Sequence, residues 1–460
     1  MMLLSEAALA TKGRVVGTDV AFLAVTTDSR KVAPGDLFVA LRGERFDGHD
    51  FVGQCFSRGA AAAMVNQESG VSRSDQGLGK RWLEVPDTRL GLGDLAAHWR
   101  GKFAIPLAAV TGSNGKTTVK EMLAAILRKA GGAENVLATE GNLNNDIGLP
   151  LTLVKLHAQC RYAVVEMGMN HPGEIAYLTS IARPTVALIN NAQPAHLEGL
   201  GSVEAVARAK GEIFAGLATN GTAVINADDA FASLWKQMAA PHRIMTFGLK
   251  QAADVSADYR LMPDGSEMTL KTAHGVARLR LAVPGLHNVC NALAATTAAL
   301  AMGVPLPSIV AGLESFSGIK GRLQHQTGCC GATIIDDTYN ANPASMRAAI
   351  GVLAPMPGKK IFVMGDMGEL GDEAPALHSE IGVAARMAGI DAMYALGELS
   401  RHAVTAFGAG ARHFASAEEL ESVLRGELAT NVTVLVKGSR FMRMERVVEM
   451  LTQKESTSCC

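Results

Sequence analysis

Short apolar runs alternate along the middle of the chain with glycine-rich turns and with Ala-rich stretches of helical composition. Buried strands are predicted by the runs of five or six residues at 105–110, 161–166, 185–190 and 222–226. Strands that alternate with helices are typical of a parallel sheet covered by helices. The sequence therefore predicts an α/β fold for this central region.

The regions on either side have their own patterns. The first eighty or so residues carry short β-type runs, such as 36–41, between turns rich in proline and glycine, which indicates a small mixed α/β domain. After residue 318, helical patterns such as 378–388 separate apolar runs at 333–337, 360–364, 392–396 and 432–436. This second alternation predicts a C-terminal, Rossmann-like α/β domain of doubly wound type.

The length of the chain supports this division. A chain of 460 residues is too long for one hydrophobic core, because domains usually contain 100 to 200 residues. We therefore predict three domains with boundaries placed by pattern alone, at 1–86, 87–317 and 318–460.

Composition and charge exclude several classes of protein. Hydrophobic residues make up 48% of the chain and charged residues 19%, which provides apolar surface for packed cores and argues against disorder. The 43 basic and 44 acidic side chains give a net charge of −1, so no nucleic-acid partner is expected. The seven cysteines lack a repeated metal-type spacing, and neither a secretory leader nor a long apolar segment is evident. We expect a cytoplasmic protein without membrane insertion.

The strongest local signal is a glycine-rich turn between an apolar run and a helical pattern at 119–129. The backbone N–H groups of such a turn form a cradle for anions, and glycine lets a phosphate approach the backbone closely. Lys116 is expected to reach the β- and γ-phosphates and Thr117 to bind Mg²⁺. Val110 stands where the common motif has its first glycine, so the loop is a variant, and a turn without a ligand is the alternative. The predicted nucleotide-binding residues of the loop are Gly112, Ser113, Asn114, Gly115, Lys116, Thr117 and Thr118.

Further side chains fall where the ligands of parallel sheets gather. Glu166 ends one apolar run and His196 follows another, so both are expected at the carboxyl edge of the sheet. A carboxylate there is a candidate Mg²⁺ ligand, with an exposed acid of no function as the alternative. A single histidine is usually structural, and Lys210 alone is most simply a solvated helix residue. Only the combination of these residues with the phosphate loop points to chemistry.

Nine segments taken in order resemble the motif series of the Mur ligases, and the resemblance covers nearly the whole chain. They are TGSNGKTT at 111–118, EGNLNNDIGLP at 140–150, EMGMN at 166–170, NAQPAH at 191–196, AKGE at 209–212, GLHNVCN at 285–291, GR at 321–322, DDTYNANP at 336–343 and VKGSR at 436–440. The resemblance implies an N-terminal domain that holds the UDP part of a substrate, a central ATP-binding domain and a C-terminal domain that brings the incoming amine.

Residue roles follow from the same resemblance. It implies that Lys116, His196 and Lys210 are catalytic and that two Mg²⁺ ions are bound by Thr117, Glu166, His196 and Lys210. Lys210 resembles the family lysine that is carbamylated. Further nucleotide contacts are implied at Asn288, Asn291, Arg322 and Asp337, and substrate contacts at Ser29, Arg30, His49, Asn340 and Asn342.

Within the family, three parts of the chain resemble the member that adds D-alanyl-D-alanine to UDP-N-acetylmuramoyl-tripeptide. They are TDSR at 27–30 with VALRGERFDGHD at 39–50, DTYNANP at 337–343 and GDMGELG at 365–371. The Asp-Asn-Pro-Arg segment of the diaminopimelate-adding member is absent from the C-terminal region of the sequence. This resemblance implies an ATP-dependent ligase that works through an acyl phosphate and makes the UDP-muramoyl-pentapeptide precursor of bacterial peptidoglycan. We expect a monomer with small-molecule substrates.

Two alternatives stand beside this interpretation. A folylpolyglutamate synthetase-like ligase uses related chemistry, but the additional N-terminal domain with Asp28, Ser29 and Arg30 argues against it. A P-loop protein that uses nucleotide hydrolysis to switch a partner is the second alternative. The presence of Glu166, His196 and Lys210 together argues against a switch.

Overall fold

The computed structural model describes residues 1–69, 81–194 and 200–452. The N-terminal part contains, in chain order, β1 Met2–Leu3, α1 Leu4–Thr11, β2 Arg14–Gly17, β3 Ala21–Phe22, β4 Ala24–Thr26, β5 Asp36–Val39, α2 Val52–Ser57, β6 Ala62–Asn66, β7 Arg81–Val85 and α3 Thr88–Gly101. Five of the strands form one sheet in the order β2-β7-β6-β5-β4, in which only β2 is antiparallel to its neighbour. Alternate residues of its strands pack on opposite faces, with Leu37 and Leu83 on one and Phe38 and Trp82 on the other.

The central part is a six-stranded parallel sheet in the order β13-β12-β11-β8-β10-β9. Its elements are β8 Leu107–Thr111, α4 Lys116–Gly131, β9 Val136–Ala138, α5 Gly148–Leu153, β10 Tyr162–Glu166, α6 Glu174–Ala182, β11 Val186–Ile189, α7 Val203–Gly211, β12 Thr222–Asn226, α8 Ala232–Ala239 and β13 Arg243–Phe247. Helices cover both faces, so the strands are apolar on both sides: Ala108 and Val110 join one core, Leu107 and Ala109 the other.

An antiparallel sheet and two helices complete the central part. They are β14 Ser256–Met262, β15 Gly265–Thr272, β16 Gly275–Leu281, α9 Leu286–Ala301 and α10 Leu306–Glu314. Sequence analysis did not predict this sheet. Its strands carry charged side chains on an exposed face, such as Arg260 paired with Glu267, so they do not form continuous apolar runs.

The C-terminal part is a six-stranded doubly wound sheet in the order β17-β18-β22-β19-β20-β21. Only the edge strand β17 is antiparallel to its neighbour. Its elements are β17 Gln324–Thr327, β18 Thr333–Asp337, α11 Pro343–Leu353, β19 Lys359–Gly365, α12 Ala374–Met387, β20 Ala392–Leu396, α13 Ser400–Phe407, β21 Ala411–Phe414, α14 Ala417–Arg425, β22 Val432–Lys437 and α15 Glu445–Thr452.

The predicted α/β fold class, with its mixed, parallel and doubly wound parts, is confirmed. The runs predicted at 222–226, 333–337 and 392–396 coincide with β12, β18 and β20, and the other predicted strands differ by one or two residues at an end. The predicted helices were too short at their starts. The pattern at 378–388 belongs to α12, which begins at Ala374. Proline is tolerated at position 375 because the N–H groups of the first helical turn have no partner within the helix. The predicted boundaries near residues 86 and 317 stay predictions.

Helix α3 connects the N-terminal and central parts. It packs against α1 of the N-terminal part and against α5 and α6 of the central part. Its buried side chains divide accordingly, since Leu92 and Leu95 join the N-terminal core and Ala96 joins a central core. The N-terminal end of α3 is thereby fixed relative to both sheets.

The close packing of α12 on α13 gives a test of the fold. A Cβ at Gly382 in α12 would lie 2.1 Å from the carbonyl oxygen of Ala403 in α13, so Gly382→Ala forces the helices apart. We expect the free energy of unfolding to fall by about 1–3 kcal/mol, as for other overpacked cores. Urea denaturation measures the change.

The matched control is Gly351→Ala in α11, where no atom lies within 4 Å of the added Cβ. Replacing an exposed helical glycine by alanine should leave stability unchanged or raise it by about 1 kcal/mol. Equal stability of the two variants would contradict the described contact between α12 and α13.

Candidate active site

A cavity of about 1340 Å³ lies where the three parts of the chain meet. The start of α3 contributes Arg89 and Leu90, the central part contributes Ser113 to Thr118, and the C-terminal part contributes Arg322 and Asp337. The carboxyl ends of β8 and β10 both reach this cavity, which is where ligands of open parallel sheets bind. The elements of all three parts therefore converge on one site.

The phosphate loop leaves little space around its backbone. Gly115 has a φ of +78°, in the left-handed region, and a Cβ there would lie 2.4 Å from Asn291 Oδ1 and 2.6 Å from Asn190 Nδ2. Glycine alone meets both the conformational and the spatial requirement. The loop then enters α4, whose first residue is Lys116.

Lys116 folds back over the loop. Its Nζ donates a hydrogen bond to Gly112 O at 2.8 Å. Burial lowers the pKa of Lys116 and nearby Arg322 lowers it further, whereas Glu166 and Glu369 act in the opposite direction. An ammonium that is partly desolvated beside another cation is stabilised by any anion that enters the cavity.

Two hydrogen bonds connect the phosphate loop with the C-terminal part. Asn342 Nδ2 donates to Asn114 Oδ1 at 2.8 Å, and Arg322 Nη2 donates to Thr117 Oγ1 at 2.9 Å. The Arg322 guanidinium lies 4.3 Å from the centre of the Tyr339 ring. Its Nε is buried and has no hydrogen-bond partner among the described residues. This N–H is suited to an anionic oxygen in the cavity.

Glu166 is 2% exposed at the end of β10. Its backbone N–H donates to Thr139 Oγ1 at 3.0 Å, and its Oε1 accepts from Asn144 Nδ2 at 2.7 Å. Within the described part of the chain, Oε2 is buried without a hydrogen-bond partner. A buried carboxylate oxygen in this state favours a cation as its neighbour.

Asn288 and Asn291 lie at the start of α9 and are both buried. Asn291 Oδ1 accepts from Asn190 Nδ2 at 2.9 Å, and Asn291 Nδ2 donates to Asn288 Oδ1 at 3.2 Å. Asn190 Nδ2 also donates to Asn114 O at 2.9 Å. The start of α9 is therefore joined to the phosphate loop through amide side chains.

The C-terminal part places a buried ion pair at the edge of the same cavity. Lys437 Nζ donates to Asp337 Oδ2 at 2.6 Å and to Asn340 O at 2.9 Å. Burial raises the pKa of Asp337, and the charge of Lys437 opposes that effect. Asn342 accepts from Ser345 N at 2.9 Å and caps α11. The ion pair and the cap hold the 338–342 turn against the phosphate loop.

Lys210 is 1% exposed near the end of α7. Its side chain makes no hydrogen bond or ion pair with the described residues. Burial, with a contribution from the positive charge of Lys116, holds the pKa of Lys210 well below the ordinary value for lysine. The structure thus contradicts the simple interpretation of Lys210 as a solvated helix residue. His196 lies outside the described residues.

The three predicted N-terminal substrate residues are not part of the described lining of the cavity. Arg30 is exposed and donates to Asp28, and the carbonyl oxygen of Ser29 accepts from Arg58 at 2.7 Å. His49 is buried. Its Nδ1 contacts Asp47 Oδ1 at 2.5 Å, and its Nε2 accepts from Asn66 N at 3.0 Å. Ser29 and Arg30 lie in the turn between β4 and β5, and His49 lies in the 3-10 helix Gly48–Phe51, so all three belong to the N-terminal part.

Comparison with known proteins adds a family to this geometry. Residues 22–100 match the Mur ligase family catalytic domain, residues 110–299 the Mur ligase middle domain, and residues 321–440 the Mur ligase glutamate ligase domain. The chain belongs to the Mur ligase family. One curated relative of this Mur ligase is UDP-N-acetylmuramoyl-tripeptide--D-alanyl-D-alanine ligase from Escherichia coli K12. It is 45% identical over 451 residues, with 97% of both chains covered.

Solved structures agree with this membership. A crystal structure of MurF from Acinetobacter baumannii has a TM-score of 0.90 and 39% identity, with 98% of both chains covered. MurF from Thermotoga maritima in complex with ADP has a TM-score of 0.82 and 29% identity, with 93% of this chain and 96% of that chain covered. A folylpolyglutamate synthase from Mycobacterium tuberculosis shares the fold at 17% identity. No described helix of the Mur ligase chain has the length and hydropathy needed to cross a bilayer.

Sequence reasoning missed several residues that the structure brings to this Mur ligase site. Lys437 and Asn144 lay within quoted motifs but received no role, and Asn190 was seen only as the end of a predicted strand. Lys437 directly follows a buried apolar run, which is the same signal that identified Glu166. The pairing of Asn144 with Glu166 depends on a tertiary contact and has no local signal.

Proposed function

We propose that this Mur ligase joins D-alanyl-D-alanine to UDP-N-acetylmuramoyl-tripeptide and uses ATP to do so. The observation that carries the proposal is a cavity in which the phosphate loop faces Arg322, Asp337 and Asn342 of the C-terminal part. A carboxylate, a nucleotide and an amine must meet in one place for this reaction, and only such a cavity brings them together. The relatives that match along the whole chain carry this activity in their names.

The loop from Gly112 to Thr118 binds the phosphates of ATP in this proposal. Its N–H groups and the start of α4 attract the anion, and Lys116 moves from Gly112 O to the transferred phosphoryl group. Asn288 and Asn291 lie on the adenine side, and Arg322 and Asp337 lie beside the ribose and phosphates. The Nε of Arg322, which is buried and has no hydrogen-bond partner among the described residues, supports this arrangement.

The proposed Mg²⁺ ligands are Thr117, Glu166, His196 and Lys210. Glu166 fits this role because its Oε2 is buried without a partner among the described residues. The described side chains include no group of three or more His, Cys, Asp or Glu able to hold a metal ion by themselves. Phosphate oxygens, a hydroxyl and a modified lysine would therefore have to complete each site. Two bound ions would neutralise charge that develops on the transferred phosphoryl group.

Lys210 acts as a carbamate in this proposal. An ammonium has no lone pair to offer a metal and would repel it, whereas a carbamate offers two oxygens. Burial and Lys116 lower the pKa of Lys210, which favours the neutral amine. Only the neutral amine has the lone pair that attacks CO₂. The environment of Lys210 therefore favours the modification that the metal site requires.

The chemistry proceeds in two steps. A carboxylate oxygen of the tripeptide attacks the γ-phosphorus of ATP, which forms an acyl phosphate and releases ADP. The amine of D-alanyl-D-alanine then attacks the acyl carbon, and a tetrahedral intermediate expels phosphate and loses a proton. Water would hydrolyse the acyl phosphate, so the C-terminal part must close over the cavity before the first step.

The substrate contacts complete the proposal. Ser29, Arg30 and His49 bind the uridine side of the UDP-substrate, and Asn340 and Asn342 are further substrate contacts. If the N-terminal residues bind the uridine, the UDP-substrate must extend from the N-terminal part to the cavity. Arg89 and Leu90 line the cavity on that side. The product is the UDP-muramoyl-pentapeptide precursor of peptidoglycan, made in the bacterial cytoplasm. The expected monomer stays a prediction.

ADP release separates this proposal from its alternatives. We expect rapid ADP release only when UDP-N-acetylmuramoyl-tripeptide and D-alanyl-D-alanine are present together. Release that needs neither substrate would indicate a nucleotide switch. Release with a folate and glutamate, but without the UDP-substrate, would indicate a folylpolyglutamate synthetase-like ligase.

Replacing Lys116 tests the assignment of the phosphate loop. Lys116→Ala removes the charge next to the transferred phosphoryl group, so we expect kcat to fall by about 10²-fold or more. The control is Lys129→Ala, which removes an exposed lysine from the last turn of the same helix and should leave kcat unchanged. A folded Lys116→Ala variant with normal kcat would contradict the assignment.

Replacing Lys210 tests the carbamate. Lys210→Arg keeps a positive charge but cannot hold CO₂, so it should lose activity nearly as far as Lys210→Ala, in both cases by about 10²-fold or more. A carbamate signal in the ¹³C NMR spectrum of the wild-type enzyme with ¹³C-bicarbonate should vanish in both variants. The wild-type signal should also be lost on acidification, because protonation of the amine removes CO₂. An active Lys210→Arg variant would contradict the proposal.

A further inference from the structure

The segment 139–147 joins β9 to α5 and follows the edge of the cavity. Four of its polar residues line that cavity, namely Asn142, Asn144, Asn145 and Asp146. None of the proposed metal or nucleotide ligands lies in this segment. Its two ends nevertheless make specific contacts with two different parts of the chain.

The inner end of the segment holds Glu166. Thr139 Oγ1 accepts from the Glu166 backbone N–H at 3.0 Å, and Asn144 Nδ2 donates to Glu166 Oε1 at 2.7 Å. Asn144 O accepts from Gly168 N at 2.9 Å. The position of Asn144 thus decides which Glu166 oxygen is occupied and which faces the cavity.

The start of the segment is fixed by a contact with helix α4. Lys120 is fully buried in α4, and its Nζ donates to Thr139 O at 2.7 Å. Because removing a buried charge from its partners is costly, this contact keeps Thr139 in place. Any adjustment of Asn144 must therefore come from the other end of the segment.

The outer end is fixed by an ion pair with α3. Arg89 Nη2 donates to Asp146 Oδ1 at 2.7 Å, and Arg89 Nε contacts Asp146 Oδ2. The two parallel contacts give a directional pair. The Arg89 side chain is 56% exposed and that of Asp146 29%, so the pair contributes little to global stability. The ion pair instead fixes the position of Asp146 relative to α3.

The chain between Asn144 and Asp146 has little freedom to absorb a displacement. Asn145 Oδ1 accepts from Gly148 N at 2.8 Å and starts α5. A Cβ at Gly148 would lie 2.4 Å from Leu143 Cα, so the turn is closely packed. A shift of Asp146 is therefore passed to Asn144.

Arg89 itself is held by the N-terminal part. Asp87 Oδ1 accepts from Arg89 N at 2.7 Å, and Thr88 N donates to Asn66 Oδ1 at 2.9 Å. Asn66 N in turn donates to His49 Nε2. A series of short contacts thus runs from the N-terminal sheet through Arg89 and Asp146 to Glu166.

We propose that Arg89 and Asp146 are positioning residues, which set the Glu166 carboxylate for Mg²⁺ through Asn144. This inference rests on the proposed role of Glu166 as a metal ligand. Partners of metal ligands commonly change metal affinity by about 10- to 100-fold when they are removed. The pair acts on Mg²⁺ and not on the nucleotide itself.

The test measures ADP binding by calorimetry, without the UDP-substrate, in the presence of Mg²⁺ and in EDTA. Arg89→Gln and Asp146→Asn should each raise the Kd for ADP about 10-fold in Mg²⁺ and leave the Kd in EDTA unchanged. The double variant Arg89→Asp with Asp146→Arg restores an ion pair and should recover most of the Mg²⁺ effect. If the pair only stabilised the local structure, the variants would change the Kd for ADP equally in Mg²⁺ and in EDTA.

The matched control is Arg260→Gln, which breaks an exposed Arg–Glu pair on the antiparallel sheet and should change neither Kd. Glu166→Gln separates the possible failures. If Glu166→Gln weakens Mg²⁺-dependent binding while Arg89→Gln and Asp146→Asn do not, this inference is overturned and the role of Glu166 stands. If Glu166→Gln also binds normally, the metal role of Glu166 fails, and the inference fails with it. The inference would also be overturned if the double variant Arg89→Asp with Asp146→Arg bound ADP in Mg²⁺ as weakly as the single variants do.

Discussion

Amide side chains hold the phosphate loop in its shape, and the geometry of the site depends on them. Asn191 Oδ1 accepts from Asn114 N at 2.9 Å, and Asn190 Nδ2 donates to Asn114 O at 2.9 Å. Asn342 of the C-terminal part contacts the side chain of the same residue. Amides offer donors and acceptors without a net charge, so they fix the loop without adding a carboxylate that would repel a phosphate.

This arrangement makes the C-terminal part a component of the proposed nucleotide site. Arg322 reaches Thr117 across the cavity, and the Asp337–Lys437 pair anchors the turn that carries Asn342. In the proposed reaction, the part that brings the amine therefore also contacts the loop proposed to bind ATP. Closure of that part over the cavity would then complete the charge around the phosphates and protect the acyl phosphate from water.

The positive charges in the central part bear on the proposed modification of Lys210. Burial and the positive charge of Lys116 both lower the pKa of Lys210, so an ammonium group at Lys210 is unfavourable. In the proposed reaction, conversion of Lys210 to a carbamate would replace this repulsion by an attraction to Lys116 and would supply oxygen ligands for Mg²⁺.

The sequence predicted those parts of the structure that depend on local patterns. Strands such as β12 and β18 are buried on both faces, so their apolar runs are visible without tertiary information. The phosphate loop was found because its glycines and Lys116 are adjacent in sequence. The antiparallel sheet from β14 to β16 was missed because its strands mix apolar and charged residues.

The remaining features are long-range and have no local signal. Asn144 meets Glu166 across 22 positions and Arg89 meets Asp146 across 57 positions. His49 and Lys210 show that burial cannot be read from residue type: both are polar, and both are almost fully enclosed. Such placements follow from tertiary packing, which acts within one part for His49 and Glu166 and between α3 and the central part for Arg89.

The central claim is that ATP activates a carboxylate of the UDP-substrate in this cavity. The most direct test supplies UDP-N-acetylmuramoyl-tripeptide with ¹⁸O at both oxygens of its reacting carboxylate, together with ATP and D-alanyl-D-alanine, and analyses the released phosphate by mass spectrometry. The account predicts one ¹⁸O atom in each phosphate, because the bridging oxygen of the acyl phosphate leaves with phosphorus. Phosphate that carries no ¹⁸O would mean that water attacks ATP, and that result would contradict the account.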